Sequence, residues 1–371
     1  MRVALLTNFI APYRVPLFQA LAPKVGNLRI FLSTKMEKGR AWPVEWGDLD
    51  VVLQKGLTIP RTWRTARFRE PIEMHLPIDT MRVLREYKPD VIVSGEFGLR
   101  TAAAVRYARK HNVPMAVWAT LSDRLERDRG RVRTRLRSWI LKHASLVFTN
   151  GEDGARYIRR FGFPDERIIR VPYTTDLEPF LNVRLERSPS PSLRVLFVGS
   201  LSERKAPDRL LEAAARAANR LRSISVTFVG DGPMRLYLQT RMRSPSPHVN
   251  VRFAGNVPYS DLPRWYGNAD VLAFPTLGDE WGLVVNEALA SGLPVLGSVY
   301  SQAVEELVRD GVNGWRVTPS VDSIAAGLAR VMAVRRAEIG RMREAARESV
   351  AGITPEYVAG LFARGLAEIT D

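Results

Sequence analysis

Short apolar segments alternate with helix-like segments along the first half of the chain. Runs rich in β-branched residues recur at residues 3–7, 28–33, 91–94, 115–118 and 146–149. Between several of these runs, apolar residues recur at helical spacing among charged neighbours, as in residues 99–110. Strands of continuous apolarity separated by helices are typical of a parallel sheet that is covered on both faces. The pattern therefore predicts an α/β domain in this half.

The same pattern restarts after a polar segment at residues 183–192, which contains two Ser-Pro steps. New apolar runs follow at residues 193–198, 225–229, 251–254, 271–274, 295–297 and 315–317, with helix-like segments between them. Ligands of doubly wound sheets bind outside the carboxyl ends of the strands. We therefore expect two Rossmann-like, doubly wound domains that face a cleft, with the active site in that cleft.

The predicted boundaries are an N-terminal domain over residues 1–182, a linker over 183–192 and a C-terminal domain over 193–350. A last helix is predicted within residues 351–371. Thr354 followed by Pro355 gives this helix a favourable start, with an N-cap residue before a proline in the first turn. We expect the helix to pack back toward the N-terminal domain.

Composition narrows the choice of protein class. The 371 residues contain no cysteine, which excludes a disulfide scaffold, thiolate zinc sites and cysteine nucleophiles. No apolar run approaches the roughly 18 residues that a membrane span requires. The first residues contain too short an apolar stretch for a secretory signal. We therefore expect a cytoplasmic protein, with peripheral attachment to the inner face of the membrane as a further option.

Positive charge is concentrated in the first half. Residues 1–190 hold 34 Lys and Arg against 20 Asp and Glu, a net charge of +14, whereas residues 191–371 have a net charge of +2. One explanation of this asymmetry is a GC-rich genome, which encodes arginine freely. The other is an anionic partner, such as nucleic acid, a phosphorylated substrate or a membrane surface. Because no helix-turn-helix, RNA-recognition or zinc pattern accompanies the charge, we expect no nucleic-acid partner.

The densest basic run covers residues 124–142 and has Leu136, Trp139 and Ile140 interleaved among its arginines. One interpretation is a cationic amphipathic segment that docks on anionic lipid. The other is a solvated helix whose apolar residues pack on the sheet. The sequence leaves both open.

Two loops of the second half are suited to phosphate. The strand that ends at Gly199 leads through Ser200 to Arg204 and Lys205 and then into a helix, so that backbone amides and two cations could meet a diphosphate. The next strand ends in a turn with Gly230 and Gly232, which permits close approach of a ligand to the backbone. Taken alone, each loop also suits an ordinary turn.

The most informative segment is residues 275–297, which reads PTLGDEWGLVVNEALASGLPVLG. Asp279 and Glu280 lie in a loop before a helix, and Glu287 lies eight positions after Asp279, about two helical turns along. Carboxylates at these places can accept hydrogen bonds from sugar hydroxyls. Amides at the start of the helix favour phosphate or hydroxyl oxygens; these belong to Trp281, Gly282 and Leu283.

These motifs resemble the signature of the retaining family 4 glycosyltransferases, which have the GT-B fold. In that family two acidic residues are separated by seven others around a core of the WGLVVNEA type. The resemblance is clear over residues 193–318 and weaker in the first half, at residues 11–17, 91–95 and 171–180.

The resemblance implies roles for residues on the donor side. Glu287 would bind the ribose of a nucleoside-diphosphate sugar, and Asp279 would contact hydroxyls of the donor sugar, with Glu280 as the second candidate. Lys205 and Arg204 would hold the diphosphate. Backbone groups at Gly199, Ser200, Gly230, Gly232, Asn256, Val257, Trp281, Gly282 and Leu283 would complete the donor site.

The chain departs from the family pattern at several places. Ser200 stands where the family usually has a phosphate-binding arginine, so Arg204 or Arg14 would have to supply that charge. The family often has a Gly-Gly loop after the first strand, but the corresponding loop here contains Tyr13 and Arg14. Thr120 stands where the family often has histidine. The acceptor side is assigned to Tyr13, Glu96 and Thr120.

The resemblance implies retaining transfer of a hexosyl group from a UDP-sugar, or from GDP-mannose, to a hydroxyl in glycan, glycolipid or natural-product biosynthesis. Phosphorylated and lipid-linked acceptors are the candidates. No protein nucleophile is expected, and we expect no essential metal or cofactor because no Asp-x-Asp motif stands out. The alternatives are an isomerase like the UDP-sugar 2-epimerases and a catalytically inactive GT-B subunit.

Overall fold

The computed structural model describes residues 1–37, 44–126, 130–241 and 247–370. The chain forms two compact units. Unit 1 consists of Met1–Trp63, Pro71–Asp176 and Ile353–Asp371, and unit 2 of Arg64–Glu70 and Leu177–Gly352. The structure thus groups residues 64–70 and 177–182 with unit 2, whereas the sequence pattern assigned them to the first domain.

The strands are β1 Arg2–Thr7, β2 Asn27–Leu32, β3 Asp50–Leu53, β4 Gly56–Arg64, β5 Arg69–Pro77, β6 Val91–Gly95, β7 Met115–Ala119, β8 Leu146–Thr149, β9 Ile168–Arg170, β10 Ser192–Val198, β11 Ser223–Val229, β12 Val249–Gly255, β13 Val271–Phe274, β14 Val295–Ser298 and β15 Gly314–Val317.

The α-helices are α1 Val15–Val25, α2 Thr80–Tyr87, α3 Leu99–His111, α4 Asp123–Glu126, α5 Arg131–Lys142, α6 Glu152–Arg159, α7 Glu178–Leu181, α8 Pro207–Ala217, α9 Arg235–Arg241, α10 Leu262–Gly267, α11 Leu283–Ala290, α12 Gln302–Leu307, α13 Val321–Ala333, α14 Arg336–Glu348 and α15 Pro355–Glu368. Short 3₁₀ turns occur at Pro12–Arg14, Asp165–Arg167, Glu203–Lys205 and Tyr259–Asp261.

In the described part of unit 1, a seven-stranded parallel sheet has the order β3-β2-β1-β6-β7-β8-β9. Alternate residues of β1 enter two different cores, as the pleat of a strand requires. Ala4 and Leu6 pack in the core that includes residues of α2, α3, α5 and α6, whereas Val3 and Leu5 pack in the core that includes residues of α1 and α15. The prediction of a sheet covered on both faces is confirmed.

In the described part of unit 2, a six-stranded parallel sheet has the order β12-β11-β10-β13-β14-β15. Numbered within the sheet, this is the Rossmann order 3-2-1-4-5-6, in which the strand order reverses beside the first strand. The reversal in unit 2 lies between β10 and β13, and in unit 1 it lies between β1 and β6. The Rossmann-like character of both units is therefore confirmed.

The segment 183–192 is held to unit 2 by arginine side chains. Arg187 donates to the carbonyl oxygen of Ser291 at 2.9 Å, and Arg343 donates to that of Leu185 at 3.2 Å. Arg347 bonds the carbonyl oxygen of Val183. The predicted linker is therefore packed on unit 2 along its first residues.

The basic run at residues 124–142 includes α5, while its residues 127–129 lie outside the described residues. Ile140 is fully buried, and Leu136 and Trp139 are packed against the core of unit 1. This packing supports the interpretation of a helix that docks on the sheet. Contact with a membrane stays a prediction. Within the described residues, no helix is long and apolar enough to cross a membrane.

The pair β4 and β5 forms a separate two-stranded sheet that the sequence pattern did not predict. Most residues of β4 are exposed to solvent, so apolar periodicity gives no signal for this strand. The turn between the two strands is closed by the amide of Thr65, which donates to the carbonyl oxygen of Phe68 at 3.0 Å.

Helix α15 belongs to unit 1, where it packs on α1. Thr354 caps its start by accepting a hydrogen bond from the amide of Tyr357. Phe362 is 1% exposed, and its ring centroid lies 5.0 Å from that of Trp118 and 4.4 Å from that of Phe148. The helix therefore contributes an aromatic anchor to the core of unit 1.

We expect Phe362→Ala to lower the free energy of unfolding of unit 1 by about 3–5 kcal/mol, because a buried phenylalanine leaves a cavity when truncated. Tyr357→Ala on the same helix is the matched control, since Tyr357 is 53% exposed. Urea unfolding followed by tryptophan fluorescence measures both variants. Equal losses in the two would show that α15 is not anchored by Phe362.

Candidate active site

The loops at the strand reversal of unit 2 are packed tightly against one another. Gly230 follows β11 with φ +125°, and a Cβ atom there would lie 2.1 Å from the carbonyl oxygen of Gly199. Gly232 has φ +159°, and its Cβ would lie 2.7 Å from the carbonyl oxygen of Leu201. Both positions therefore require glycine for packing between the two loops. Their predicted contact with a donor stays a prediction, as does that of Gly199 and the exposed Ser200.

Two cations and an acid form a cluster where β10 and β13 end. Lys205 makes an ion pair with Asp279, and Nη1 of Arg204 lies 3.3 Å from Oδ2 of Asp279. Arg204 also donates to the carbonyl oxygen of Gly278 at 3.2 Å. The side chains of Arg204, Lys205 and Asp279 are 19%, 15% and 14% exposed, so the charges are largely shielded from water. The structure thus brings together the three residues to which the resemblance gave catalytic roles.

Backbone contacts fix the two loops that carry the cluster. The amide of Leu277 donates to the carbonyl oxygen of Arg204 at 2.7 Å, and the hydroxyl of Thr276 donates to the same oxygen at 3.0 Å. Nζ of Lys205 lies 4.9 Å from the centroid of the Phe274 ring, within the range of a cation–π contact. The cations are therefore held in place before any ligand arrives.

Burial alone would raise the pKa of Asp279, but the charges of Lys205 and Arg204 outweigh it and hold the pKa below its usual value. The ion pair is therefore fully formed above pH of about 4, where the carboxyl is ionised also in the unfolded chain. Its contribution to stability is lost as the pH falls through the lowered pKa.

The start of β5 adds a carboxylate to this cluster. Nε of Arg204 lies 2.5 Å from Oε2 of Glu70, whose side chain is 19% exposed. The amide of Arg69 donates to Glu203 at 3.1 Å, and the guanidinium of Arg67 lies 4.2 Å from the ring centroid of Tyr300. Sequence reasoning missed Glu70, because it lies 134 positions from Arg204 in a segment without a recognisable motif.

The residues before α11 have different surroundings. Trp281 is 1% exposed, and its indole donates to Asn286 at 2.9 Å. The amide of Trp281 bonds the carboxylate of Asp279, so it is not free as the sequence prediction expected. The carbonyl oxygen of Glu280 accepts from Gln302 at 2.7 Å. Gly282 is the N-cap residue of α11, and Leu283 is its first residue.

Glu287 lies on α11 and is 5% exposed. Its carboxylate accepts hydrogen bonds from the hydroxyl of Tyr266 at 2.7 Å and from that of Tyr259 at 3.2 Å. Burial raises the pKa of Glu287, and the two tyrosine hydroxyls oppose this rise. Sequence reasoning missed both tyrosines, because they come from α10 and the turn before it. Asn256 and Val257 follow directly after β12, where Asn256 is exposed and Val257 is half-buried.

The carboxyl edge of the unit 1 sheet carries Tyr13, Glu96 and Thr120, which were assigned to the acceptor side, and Arg14, which was predicted to supply a charge for the donor phosphate. The guanidinium of Arg14 lies between two aromatic rings, 4.7 Å from the centroid of Trp118 and 4.9 Å from that of Tyr173, and it bonds the hydroxyl of Tyr173. The ring of Tyr13 lies 6.3 Å from that of Tyr173. Thr120 follows β7 and is 8% exposed.

A polar chain links the ends of β1, β2 and β6. Arg100 donates to Asn8 and to Ser33, both at 2.8 Å, and to the carbonyl oxygen of Gly95 at 3.0 Å. Asn8 in turn donates to Glu96 at 3.4 Å. Glu96 has φ +66°, an uncommon conformation for a residue other than glycine and one that is often found at functional sites. Sequence reasoning missed Arg100.

Arg100 is 5% exposed, and burial lowers its pKa to about 10. Among the described residues, neither Arg14 nor Arg100 has a carboxylate oxygen within 4 Å. Bonds to neutral oxygens do not cancel the positive charge, which, among the carboxylates that the structure describes, only the more distant one of Glu96 opposes. This edge of unit 1 is therefore suited to an anionic group.

No set of three or more His, Asp or Glu side chains in the described ranges is placed to hold a metal ion. The cluster in unit 2 combines two fixed cations with the partly buried carboxylates of Asp279 and Glu70. Chemically, it can bind an anionic diphosphate through the cations and hydroxyl groups through Asp279 and Glu287.

Comparisons with known proteins extend these findings to the whole chain. The family model for glycosyl transferases group 1 matches residues 184–349, and the model for the glycosyl transferase 4-like domain matches residues 11–174. A D-inositol 3-phosphate glycosyltransferase of Nocardiopsis dassonvillei is 30% identical over 320 residues, covering 78% of this chain and 72% of the relative. An uncharacterized glycosyltransferase of Methanocaldococcus jannaschii is 33% identical over 139 residues.

This second match covers 37% of the chain and 35% of the archaeal relative, so the chain spans about a third of the length of that protein. Among solved structures, Anabaena HepE in complex with UDP and glucose aligns with a TM-score of 0.73 at 15% identity, covering 99% of this chain and 100% of HepE. That likeness concerns the fold, which is GT-B. The fold, the two family models and the Nocardiopsis relative agree with the paired-acid motif and its two cations, and the chain belongs to the family 4 glycosyltransferases.

Proposed function

We propose that the protein transfers a hexosyl group from a UDP-sugar to a hydroxyl of its acceptor, with retention of configuration at the anomeric carbon. GDP-mannose is the second candidate donor. The observation that carries the proposal is the largely shielded cluster of Arg204, Lys205 and Asp279 at the strand reversal of unit 2. The complex of HepE with UDP and glucose supports a uridine nucleotide as the donor.

On the donor side, Lys205 and Arg204 bind the oxygens of the diphosphate and stabilise the charge that develops as it leaves. Asp279 is kept ionised by these cations and accepts a hydrogen bond from a hydroxyl of the donor sugar. Glu287 accepts hydrogen bonds from the ribose. Its two tyrosine partners orient the carboxylate, as Tyr266 is itself buried.

In the reaction, the bond between the anomeric carbon and the diphosphate oxygen breaks, and the diphosphate leaves with the electron pair. The acceptor oxygen forms the new bond on the same face, and its proton passes to the leaving phosphate oxygen. The residues of the chain position the groups and stabilise charge. With two cations beside the leaving group, no metal is required.

We further propose that the acceptor carries an anionic group, with a phosphate monoester favoured over a lipid-linked diphosphate. The support is the pair Arg14 and Arg100 at the carboxyl edge of unit 1, neither of which has a carboxylate oxygen within 4 Å among the described residues. The Nocardiopsis relative is by name a glycosyltransferase of D-inositol 3-phosphate, which is a compound of this class.

Donor screening tests the proposal. The melting temperature of the purified protein is measured with UDP-, GDP- and ADP-sugars. The protein is then incubated with the donor that stabilises it and with phosphorylated polyols in the presence of EDTA. We expect a UDP-sugar to raise the melting temperature, transfer to persist in EDTA, and the product to keep the donor's anomeric configuration by NMR. An inverted product, or activity that needs added Mn²⁺, would contradict the mechanism, and no turnover of any donor would indicate an inactive subunit.

Lys205→Ala should lower kcat by about 10²–10³, as expected for loss of one group that stabilises developing charge. The exposed Lys24 on α1 provides the matched control, and Lys24→Ala should retain normal activity. Melting curves of both variants check the fold. Near-normal turnover in a folded Lys205→Ala protein would remove Lys205 from the reaction.

Glu70→Gln should bind UDP more tightly than the unsubstituted protein. Glu70 occupies Arg204 in the absence of donor, so its charge opposes that of the incoming diphosphate. At an intermediate dielectric, removal of this repulsion is worth roughly 1 kcal/mol, or about a fivefold gain in affinity.

Isothermal titration with UDP and with uridine measures this effect, with Glu344→Gln at an exposed position of α14 as the control. The gain should appear for UDP and be absent for uridine, which has no phosphate. Weaker UDP binding would mean that Glu70 instead holds Arg204 in the geometry that the diphosphate needs.

A further inference from the structure

An arginine cluster lies at the amino-terminal edge of the unit 2 sheet, opposite the edge that carries the candidate donor site. Arg194 is near the start of β10, Asp270 directly precedes β13, and Ser291 follows α11. Arg187 comes from the segment before β10. Two further arginines, Arg343 and Arg347, come from α14.

Positive charge exceeds negative charge in this cluster. The carboxylate of Asp270 accepts three hydrogen bonds from Arg194. The donors are the backbone amide and Nε of Arg194, both at 3.0 Å, and Nη2 at 2.7 Å. Arg343 lies farther from the same carboxylate, at 3.6 Å. Among the described residues, Arg187 and Arg347 have no carboxylate oxygen within 4 Å.

The bonds that Arg187 and Arg347 do make are to neutral carbonyl oxygens. Arg187 bonds those of Ser291 and Arg184, and Arg347 bonds those of Ala290 and Val183. These bonds explain why the side chains are ordered but leave their charges unbalanced. Burial and the neighbouring guanidinium of Arg343 lower the pKa of Arg187 to about 10, in accord with a crowded site of like charge.

Buried donors remain unused at the same place. The Nε groups of Arg187 and Arg343 are shielded from solvent without a hydrogen-bond partner, and Arg343 as a whole is 8% exposed. An unsatisfied buried N–H costs about 1–3 kcal/mol, more when the group is charged. A ligand with a negative charge would relieve the charge imbalance of the cluster.

A cavity adjoins the cluster at Arg187. Its volume is about 400 Å³. The cavity is also lined by Arg184 and Arg264. One acidic residue, Glu186, lines it as well. Neither Arg184 nor Arg264 has a carboxylate oxygen within 4 Å among the described residues. The polar lining is contributed by Asn182, Ser188 and Asn268.

We propose that this cavity is a second anion site, which binds a phosphate group as free phosphate or as the monoester of a small metabolite. Three guanidinium groups around a polar cavity match the charge and the acceptor oxygens of a phosphate, which arginine can bind through paired hydrogen bonds. The site is independent of the donor cluster, since the two lie at opposite edges of the unit 2 sheet. Its existence does not rest on the proposed transfer reaction.

The test is titration of the full-length protein with inorganic phosphate and with glycerol phosphate, in a buffer free of phosphate and sulfate. The titration is done in an Arg14→Gln background, which removes a cation of the proposed acceptor site in unit 1, and we expect one saturable site with a dissociation constant below about 1 mM. Arg264→Gln should weaken binding about tenfold, because Arg264 makes no side-chain bond in the described structure whose loss could disturb the fold. Arg187→Gln should do the same and also lower the melting temperature, since Arg187 holds the carbonyl oxygen of Ser291.

Two controls separate this site from other anion binding. Arg220→Gln, at an exposed arginine of the same unit, and Lys205→Ala, at the donor cluster, should both leave phosphate binding unchanged. Tighter binding of glycerol phosphate than of inorganic phosphate would identify a monoester as the ligand, and the reverse would identify free phosphate. Absence of saturable binding, binding that survives Arg264→Gln, or binding that is lost in Lys205→Ala would overturn the proposal.

Discussion

The reversal of strand order beside the first strand of each parallel sheet is the constraint on which the candidate site depends. Parallel strands need crossover connections, and these run in opposite directions on the two sides of the reversal. The loops after β10 and β13 therefore diverge from neighbouring strand ends, which leaves room for charged side chains between them. In unit 2 this place holds Arg204, Lys205 and Asp279, and the close packing at Gly230 and Gly232 fixes the loop on one side.

Charge compensation within that cluster explains how a site can be both stable and ready for an anion. Two buried cations without partners would be costly, and Asp279 and Glu70 neutralise them in the absence of ligand. In the proposed function a diphosphate that enters would take over part of this role, so donor binding would exchange carboxylate for phosphate partners. Because Glu70 lies near the start of β5, outside the six-stranded sheet of unit 2, we propose that it is the partner released at the smaller structural cost.

The sequence was sufficient to predict those features that depend on local pattern. Continuous apolar runs identified both parallel sheets, and the spacing of Asp279 and Glu287 around a glycine-rich helix start indicated the family to which the chain belongs. The features that it did not predict depend on contacts between distant segments. Glu70 meets Arg204 across 134 positions, and Tyr266 reaches Glu287 from a helix that no motif marks. The exposed strand β4 lacks the alternation of apolar and polar residues on which strand prediction depends.

Arginine side chains that bond carbonyl oxygens bear on where the large positive charge of this chain can attract an anion. Such a residue has satisfied N–H groups and a fixed position, yet its charge remains, so a net charge calculated from the sequence does not show where an anion will bind. Arg100 at the carboxyl edge of unit 1 and Arg187 at the amino edge of the unit 2 sheet are two instances, and in both burial lowers the pKa to about 10. A single exposed arginine is solvated by water and screened by salt, so by itself it contributes little to the binding of a specific anion. We therefore propose that the buried, carbonyl-bound arginines fix the places at which this protein recognises phosphate, and that exposed neighbours such as Arg264 add to the positive charge there.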